Sequence, residues 1–407
     1  MSCVLPYGAQ SHVGLDLPDE TLLAVFNEPR GGVLDDPAAA VAAALDEPLN
    51  FPALARATVP GDRIVLALEH GVPQATALVA AVANYLVEHG ASADQLAVLI
   101  PPAAVAAGER DPRSLLPDAW RDEVALEVHA PDAAGSLSLL ASNHEGKPVY
   151  MNRTLLDADL VVPIGCLRHE PTIGYYGQYG GLFPTFSDAR TQSRFHKPAA
   201  GARRQQAAKQ REEIDEVGWL LGTQFTVQAL PGGGGGLLQV LAGEIPAVFR
   251  AGRLAYESAW RCGVPGRASL VVASLAGGRE QQTWQNLARA LAAASCLVAD
   301  GGAIAVCTEL AVEPGPAVTG LSRLADRELL VKSIRREHAV DALEAIELAR
   351  ATEQARVYLL SRLDESLVED LGMAHISEPG DVGRLARRHE SCIVLSNAQY
   401  VVPAAQE

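Results

Sequence analysis

The chain has 407 residues, of which 48% are hydrophobic and 5% aromatic, and its formal net charge is −16. This length predicts two domains with a large buried core, and the alanine- and valine-rich composition is typical of helices packed on sheets. The negative charge argues against a nucleic-acid partner. Because the sequence shows neither a signal-peptide pattern nor an uninterrupted apolar run of membrane-spanning length, we expect a cytoplasmic protein with no membrane partner.

The first part of the chain predicts a βαβ unit. An apolar run at residues 64–68 indicates a buried parallel strand, a helix is expected over 74–89, and residues 96–100 form the next strand. Residues 132–140 are expected to form a loop or a short helix, before a further strand that begins near residue 146. A strand at 159–165 then leads into a glycine-rich segment.

This glycine-rich segment, residues 166–196, is the first candidate site. It combines Gly174, Gly177 and Gly180 with three tyrosines, and it carries His169 near its start and His196 at its end. Open α/β sheets bind small molecules in such loops at the carboxyl ends of strands. The alternative is a surface loop whose tyrosines cover hydrophobic area.

The remainder of the chain continues the alternation of helices and strands. A helix is expected over 197–222, and the glycine run 232–236 lacks the Lys-Ser/Thr of a phosphate-binding loop, which favours a turn between two strands. A second domain is expected to begin with the strand 269–274. We therefore predict an α/β fold of two α/β domains with a ligand cleft between them, divided as 1–265 and 266–393, with a tail, 394–407, that can return to the first domain.

Six scattered cysteines, none at metal-ligand spacing, indicate reduced thiols rather than a disulfide framework. Cys166 precedes His169 closely enough to suggest a thiol–imidazole pair. A cysteine that ends a buried strand is more often a small apolar residue, and this second interpretation is preferred.

Five segments in collinear order resemble the lactate racemase family that uses a nickel-pincer nucleotide. They are Pro6-Tyr7-Gly8, Asp36-Pro37 with the helix that follows, residues 146–162, Gly174-Tyr175 with Pro184 ten residues on, and Asp300-Gly301-Gly302. The resemblance implies two α/β domains with the cofactor between them. It further implies hydride transfer from a 2-hydroxy acid to a cofactor that is tied to the protein through a lysine, with histidines as general acid and base.

Several positions depart from the pattern of the family. In the frame set by Gly174 and Pro184, the lysine position is Gly180, and Glu170 takes the place of the base histidine, with His169 one residue early. His196 matches the nickel-binding histidine.

Further departures affect the substrate-binding groups that the resemblance implies. The acidic-Thr-Arg-Pro turn reads Glu69-His70-Gly71-Val72-Pro73, and valine offers no donor in place of the arginine. Residues 100–104 lack the second histidine. The Tyr-Gln-x-x-Lys motif reads Trp284-Gln285 followed by Ala288 at the lysine position. Because these groups are missing together, we do not expect this chain to use the ancestral racemase mechanism.

Two hypotheses remain. The first is a diverged 2-hydroxy-acid racemase or epimerase with a noncovalent nickel-pincer nucleotide, and the second is a non-catalytic relative (a pseudoenzyme) that binds a small ligand in the cleft. For the first, the candidate residues are His169, Gln285 and Trp284 for catalysis, Glu69, His70, Gly174, Tyr175, Gly177 and Gly180 for cofactor binding, and His196 for the metal. His70 is an alternative base. The competing interpretations are a helix-start residue for His196, loop or turn residues for His169 and His70, and a core aromatic for Trp284.

Overall fold

The structure is a computed structural model that describes residues 2–170, 174–175, 178–195, 203–322, 339 and 341–405. Its strands, in chain order, are β1 (Ser2–Tyr7), β2 (Ser11–Asp16), β3 (Leu22–Phe26), β4 (Ile64–Leu68), β5 (Leu96–Ile100), β6 (Ala125–Val128), β7 (Leu137–Ser142), β8 (Pro148–Asn152), β9 (Leu160–Cys166), β10 (His169–Glu170), β11 (Gly174–Tyr175), β12 (Phe225–Pro231), β13 (Leu237–Glu244), β14 (Arg261–Val264), β15 (Ala268–Ser274), β16 (Val298–Cys307), β17 (Arg356–Leu360), β18 (Ala374–Ile376), β19 (Cys392–Leu395) and β20 (Val402–Ala405).

The helices, numbered in the same way, are α1 (Pro37–Asp46), α2 (Ala75–Glu88), α3 (Pro102–Ala106), α4 (Arg153–Leu156), α5 (Ala189–Phe195), α6 (Arg203–Leu220), α7 (Ile245–Trp260), α8 (Trp284–Leu297), α9 (Pro316–Leu321), α10 (Ala342–Gln354), α11 (Glu365–Asp370) and α12 (Pro379–Ala386). Among the described residues, no helix is long and apolar enough to cross a membrane.

The first sheet has six strands in the order β13-β12-β9-β4-β5-β6. All neighbours are parallel except β12 and β13, which form an antiparallel hairpin across the glycine run. Strand β4 is apolar and buried along its whole length, as expected for a central parallel strand covered on both faces. The chain winds outward from β4 through β5 and β6, then returns to β9 on the other side of β4. The boundary between β4 and β9 is therefore a topological switch point.

The second sheet has six parallel strands in the order β18-β17-β16-β15-β19-β3. Its edge strand β3 comes from the N-terminal part of the chain, and the β1–β2 hairpin packs on this sheet through Leu5 and Val13. The C-terminal strand β20 pairs with β14. The predicted α/β class is confirmed, whereas the division at residue 265 stays a prediction.

One predicted segment is wrong. Residues 137–140, which belong to the predicted loop or short helix over 132–140, lie in strand β7 (Leu137–Ser142) and pair antiparallel with β8. Its sequence, Leu-Ser-Leu-Leu-Ala-Ser, does not alternate strictly between apolar and polar residues. The strand is half-buried, and a bulge shifts its pairing register. Tertiary pairing, which a local pattern does not contain, decides its conformation. Residues 197–202 of the helix predicted over 197–222 lie outside the described residues.

The two sheets share one hydrophobic cluster. Leu167 and Leu230, from the first sheet and its loops, pack in the same cluster as Val271 and Leu287 from the second. Helix α7 contributes Trp260, which is fully buried. With the two sheets packed in this shared core, the carboxyl ends of the parallel strands of both sheets face one cavity.

Candidate functional site between the two sheets

A cavity of about 480 Å³ lies between the two sheets. One wall carries His70 and Glu170, which follow the neighbouring strands β4 and β9 at the switch point of the first sheet. The other wall carries Trp284 and Gln285, at the start of α8, which follows β15 of the second sheet. The cavity thus occupies the place where open α/β sheets bind ligands.

The turn that carries His70 rests on a buried ion pair. Arg168 Nη2 donates to Glu69 Oε1 at 2.5 Å and to the His70 carbonyl at 3.0 Å, and the Cys166 N–H donates to Glu69 Oε2 at 3.2 Å. Burial raises the pKa of the Glu69 carboxyl, and the Arg168 guanidinium acts in the opposite direction. Gly165 is required at this point, because a Cβ there would lie 2.6 Å from Glu69 Oε2.

His70 is held by a carboxylate. Its Nδ1 lies 2.6 Å from Glu109 Oε1, which also accepts the Gly71 N–H at 2.8 Å. The His70 side chain is 18% exposed and lines the cavity. A carboxylate bound to Nδ1 fixes the orientation of the ring and leaves Nε2 for another partner, which is the usual arrangement of a general acid–base histidine.

A second buried ion pair joins the two walls. Arg289, on α8, donates from Nε and Nη2 to Glu170 Oε2 at 3.1 and 2.8 Å, and from Nη1 to Asn286 Oδ1 at 2.7 Å. Both Arg289 and Glu170 line the cavity. Glu170 stands where the family resemblance places the base histidine, and Arg289 follows the alanine that replaces a lysine. The cationic group of this wall is therefore displaced by one residue and is already bound to a carboxylate.

Trp284 and Gln285 both line the cavity, and their predicted catalytic role stays a prediction. Trp284 is also part of the hydrophobic core, and its indole N–H donates to the Val312 carbonyl at 2.8 Å. Its core role and its place on the cavity wall are thus compatible. Thr283 caps α8 by accepting the Asn286 N–H at 3.2 Å, which fixes the start of the helix that presents both residues.

Helix α10 and its N-cap residue Asp341 supply three carboxylates that sequence reasoning missed. Asp341 accepts the backbone N–H groups of Ala317 and Val318, and Glu347 binds Arg350 within the helix. Glu344 differs, because its Oε2 is shielded from solvent and has no hydrogen-bond partner in the part of the chain that the structure describes. Burial, followed by the nearby carboxylates of Asp341 and Glu170, raises the pKa of Glu344 to about 7. The polar residues of such a helix resemble a solvated face in sequence, so no local signal identifies them.

The remaining predicted residues are placed as follows. Glu170, rather than His169, lines the cavity, and burial lowers the pKa of the His169 imidazole. Gly180 lines the cavity and contributes no side-chain function there. Gly174 and Tyr175 form β11, which pairs with His169–Glu170. Glu69 is not part of the cavity lining but binds Arg168, which also binds the His70 carbonyl.

The predictions of His196 as a metal ligand and of Gly177 as a cofactor-binding residue are not tested, because both residues lie outside the described ranges. Within the described ranges, no three His, Cys, Asp or Glu side chains are grouped so that they could hold a metal ion. Cys166 does not have the character of an activated thiol, because burial raises its pKa to about 12.

A family model described as "Lactate racemase N-terminal domain" matches residues 7–208. The chain belongs to the lactate racemase family. Its fold is similar to that of the lactate racemase apoprotein from Thermoanaerobacterium thermosaccharolyticum, with a TM-score of 0.78, 17% identity, and coverage of 99% of this chain and 100% of that one. A Thermotoga maritima protein is similar with a TM-score of 0.64 and 11% identity, over 92% of this chain and 100% of that one. No curated protein sequence matches the chain.

The described residues of this lactate racemase family member do not fit a lysine-tethered nickel-pincer nucleotide. Gly180 and Ala288 line the cavity at the two lysine positions and carry no amine. Val72 is buried, and it offers no donor at the arginine position. The arginine on the cavity wall, Arg289, is already bound to Glu170 and Asn286.

Proposed function

We propose that this member of the lactate racemase family is a diverged racemase- or epimerase-type isomerase of a small 2-hydroxy acid, working without a lysine-tethered cofactor. The observation that carries this proposal is the position of the His70–Glu109 pair. Its imidazole lines the same cavity as Trp284 and Gln285, which stand on the opposite wall.

In this proposal, His70 exchanges a proton with the hydroxyl group of the substrate, and inversion at the neighbouring carbon also requires a hydride acceptor, a role that an untethered nickel-pincer nucleotide would supply. Glu109 fixes the ring through Nδ1, so that Nε2 is the atom that accepts or returns the proton. Gln285 offers an amide N–H and a carbonyl for hydrogen bonds with the substrate, and Trp284 provides an apolar surface that excludes water from one side. His70, Gln285 and Trp284 line the cavity, and Glu109 contacts His70 without being part of the lining.

A second candidate function is ligand binding without turnover. The replacements at Gly180, Ala288 and Val72 favour it, because they remove the groups that hold the cofactor and the substrate in the family pattern. This protein would keep the cavity between the sheets and bind a hydroxy acid or a similar small molecule there.

One experiment separates the two. The chain is produced alone and together with the enzymes of nickel-pincer nucleotide synthesis in nickel-containing medium, and nickel per chain is measured. Each preparation is then incubated with single enantiomers of a panel of 2-hydroxy acids, and the products are resolved by chiral chromatography. Interconversion of at least one enantiomer pair is expected, with nickel content deciding whether an untethered nucleotide takes part.

His70→Gln is expected to lower the rate of interconversion by about 100-fold or more, the usual contribution of a general acid–base group. His144→Gln is the matched control, because His144 binds Glu216 through Nδ1 at the same 2.6 Å but is exposed and is not part of the cavity lining. Binding of a hydroxy acid without interconversion in either preparation would instead support the second candidate function.

A further inference from the structure

The cavity has more acidic than basic groups among its described residues. Its lining includes the carboxylates of Glu170, Asp341, Glu344 and Glu347, against the guanidinium of Arg289. Glu170 and Asn286 already use three of the five N–H donors of Arg289, Glu170 neutralises its charge, and only 4% of its side chain is exposed. The carboxylate of a hydroxy acid therefore gains from a further donor on the cavity wall.

Three of the four lining carboxylates already bind other groups of the protein. Glu170 binds Arg289, Asp341 caps the helix α9, and Glu347 binds Arg350. Of these four, Glu344 is the one with an oxygen, Oε2, that is shielded from water and lacks a hydrogen-bond partner among the described residues. A buried polar atom without a partner is costly, and a ligand that supplies the missing hydrogen bond removes that cost.

We propose that Glu344, carrying its proton, is the hydrogen-bond donor that holds the carboxylate of a hydroxy acid in the cavity. This inference rests on the substrate class of the proposed function and adds a binding residue that the family resemblance does not assign. A hydrogen bond from a carboxylic acid to a carboxylate is short and charge-assisted, whereas two ionised carboxylates at the same distance repel each other.

The surroundings of Glu344 favour the protonated form. Asp341 precedes it on the chain and Glu347 lies one turn along α10, while Glu170 and Arg289 contribute opposite charges from β10 and α8. His70 lines the same cavity from the first sheet. Burial is the largest cause of the raised pKa of about 7. A proton is thus available to the ligand below neutral pH and is lost above it.

The test is calorimetric titration of the full-length chain with sodium D-lactate and sodium L-lactate, from about pH 6 to about pH 9. If binding requires one proton on Glu344, the Kd of the wild type rises about tenfold per pH unit above neutrality. Glu344→Gln keeps an N–H donor and cannot ionise, so its Kd is expected to be independent of pH. Near pH 9 this variant should bind lactate about tenfold or more tightly than the wild type.

Glu347→Gln is the matched control, because it removes a lining carboxylate that is already paired and should leave the pH dependence unchanged. Because a variant can fail to fold, the test also includes a measurement that needs only the wild type. Titration near pH 8 in two buffers of different ionisation enthalpy should show uptake of about one proton per lactate bound. Absence of lactate binding by the wild type, absence of proton uptake, or a pH dependence that persists in Glu344→Gln would overturn the proposal.

The outcomes also separate this inference from the proposed function. Proton-linked lactate binding without interconversion of any enantiomer leaves Glu344 as a binding residue in a protein without isomerase activity. Interconversion with no contribution of Glu344 to the pH dependence of binding supports the isomerase and overturns the role of Glu344.

Discussion

Two buried arginine–glutamate pairs lie close to the cavity, and they have different consequences. In each pair the arginine side chain is nearly inaccessible, 3% exposed for Arg168 and 4% for Arg289. The Arg168–Glu69 pair lies within the first sheet, where it holds the backbone of the turn that carries His70. The Arg289–Glu170 pair connects one sheet to the other and faces the cavity. The first pair therefore stabilises one wall, whereas the second fixes the distance between the walls.

The largest effect is expected from breaking the pair within the first sheet. Arg168→Met leaves the Glu69 carboxylate buried without its cation, which costs about 3–5 kcal/mol of unfolding free energy. Urea denaturation measures this loss. Arg63→Met is the control, because Arg63 forms an exposed pair with Asp159, and the expected cost there is about 1 kcal/mol or less. Equal losses in the two variants would contradict the structural role assigned to Arg168.

Breaking the pair between the sheets is expected to cost less. Arg289→Met leaves Glu170 unpaired at a cavity wall that water can reach, so we expect a loss of about 2–3 kcal/mol. Replacing both residues, as in Arg289→Met with Glu170→Met, removes the unpaired charge and should recover most of this loss. A double-mutant cycle in urea gives the coupling energy. Additive effects of the two substitutions would mean that the pair does not hold the walls together.

Part of the fold and part of the candidate site could be predicted from the sequence. Strands such as β4, β5 and β9 were predictable, because a parallel strand covered on both faces is a continuous apolar run. His70, Gly180, Trp284 and Gln285 were identified as candidates through positions in the family resemblance, and all four line the cavity.

The partners of the cavity residues could not be predicted. Arg289 and Glu170 are 119 residues apart and approach only because two different sheets meet. Glu344 lies on a helix whose local pattern does not distinguish a cavity wall from a solvated face. Strand β3 has a pattern that predicts its conformation but does not specify its neighbour, and it joins the second sheet beside β19. Long-range pairing is a property of the assembled core rather than of any one segment.

Glu344 differs from the glutamates of both ion pairs, because its shielded Oε2 has no hydrogen-bond partner among the described residues. Its pKa is raised in the folded state from an ordinary value of 4.5 to about 7. The folded chain therefore binds the proton more tightly than the unfolded chain, and the resulting stability is present below about pH 4.5 and is lost as the pH rises to about 7. The loss is on the order of 2 kcal/mol, less than the full shift implies because the side chain faces a cavity.

Glu344→Gln has no such loss, so it should be more stable than the wild type at pH values above about 7 and similar to it at low pH. Thermal or urea unfolding across this range measures the difference. Glu347→Gln, whose carboxylate has a cation, should not be stabilised at high pH, and a gain in both variants would assign the effect to the net charge of helix α10 instead of to the missing partner of Glu344.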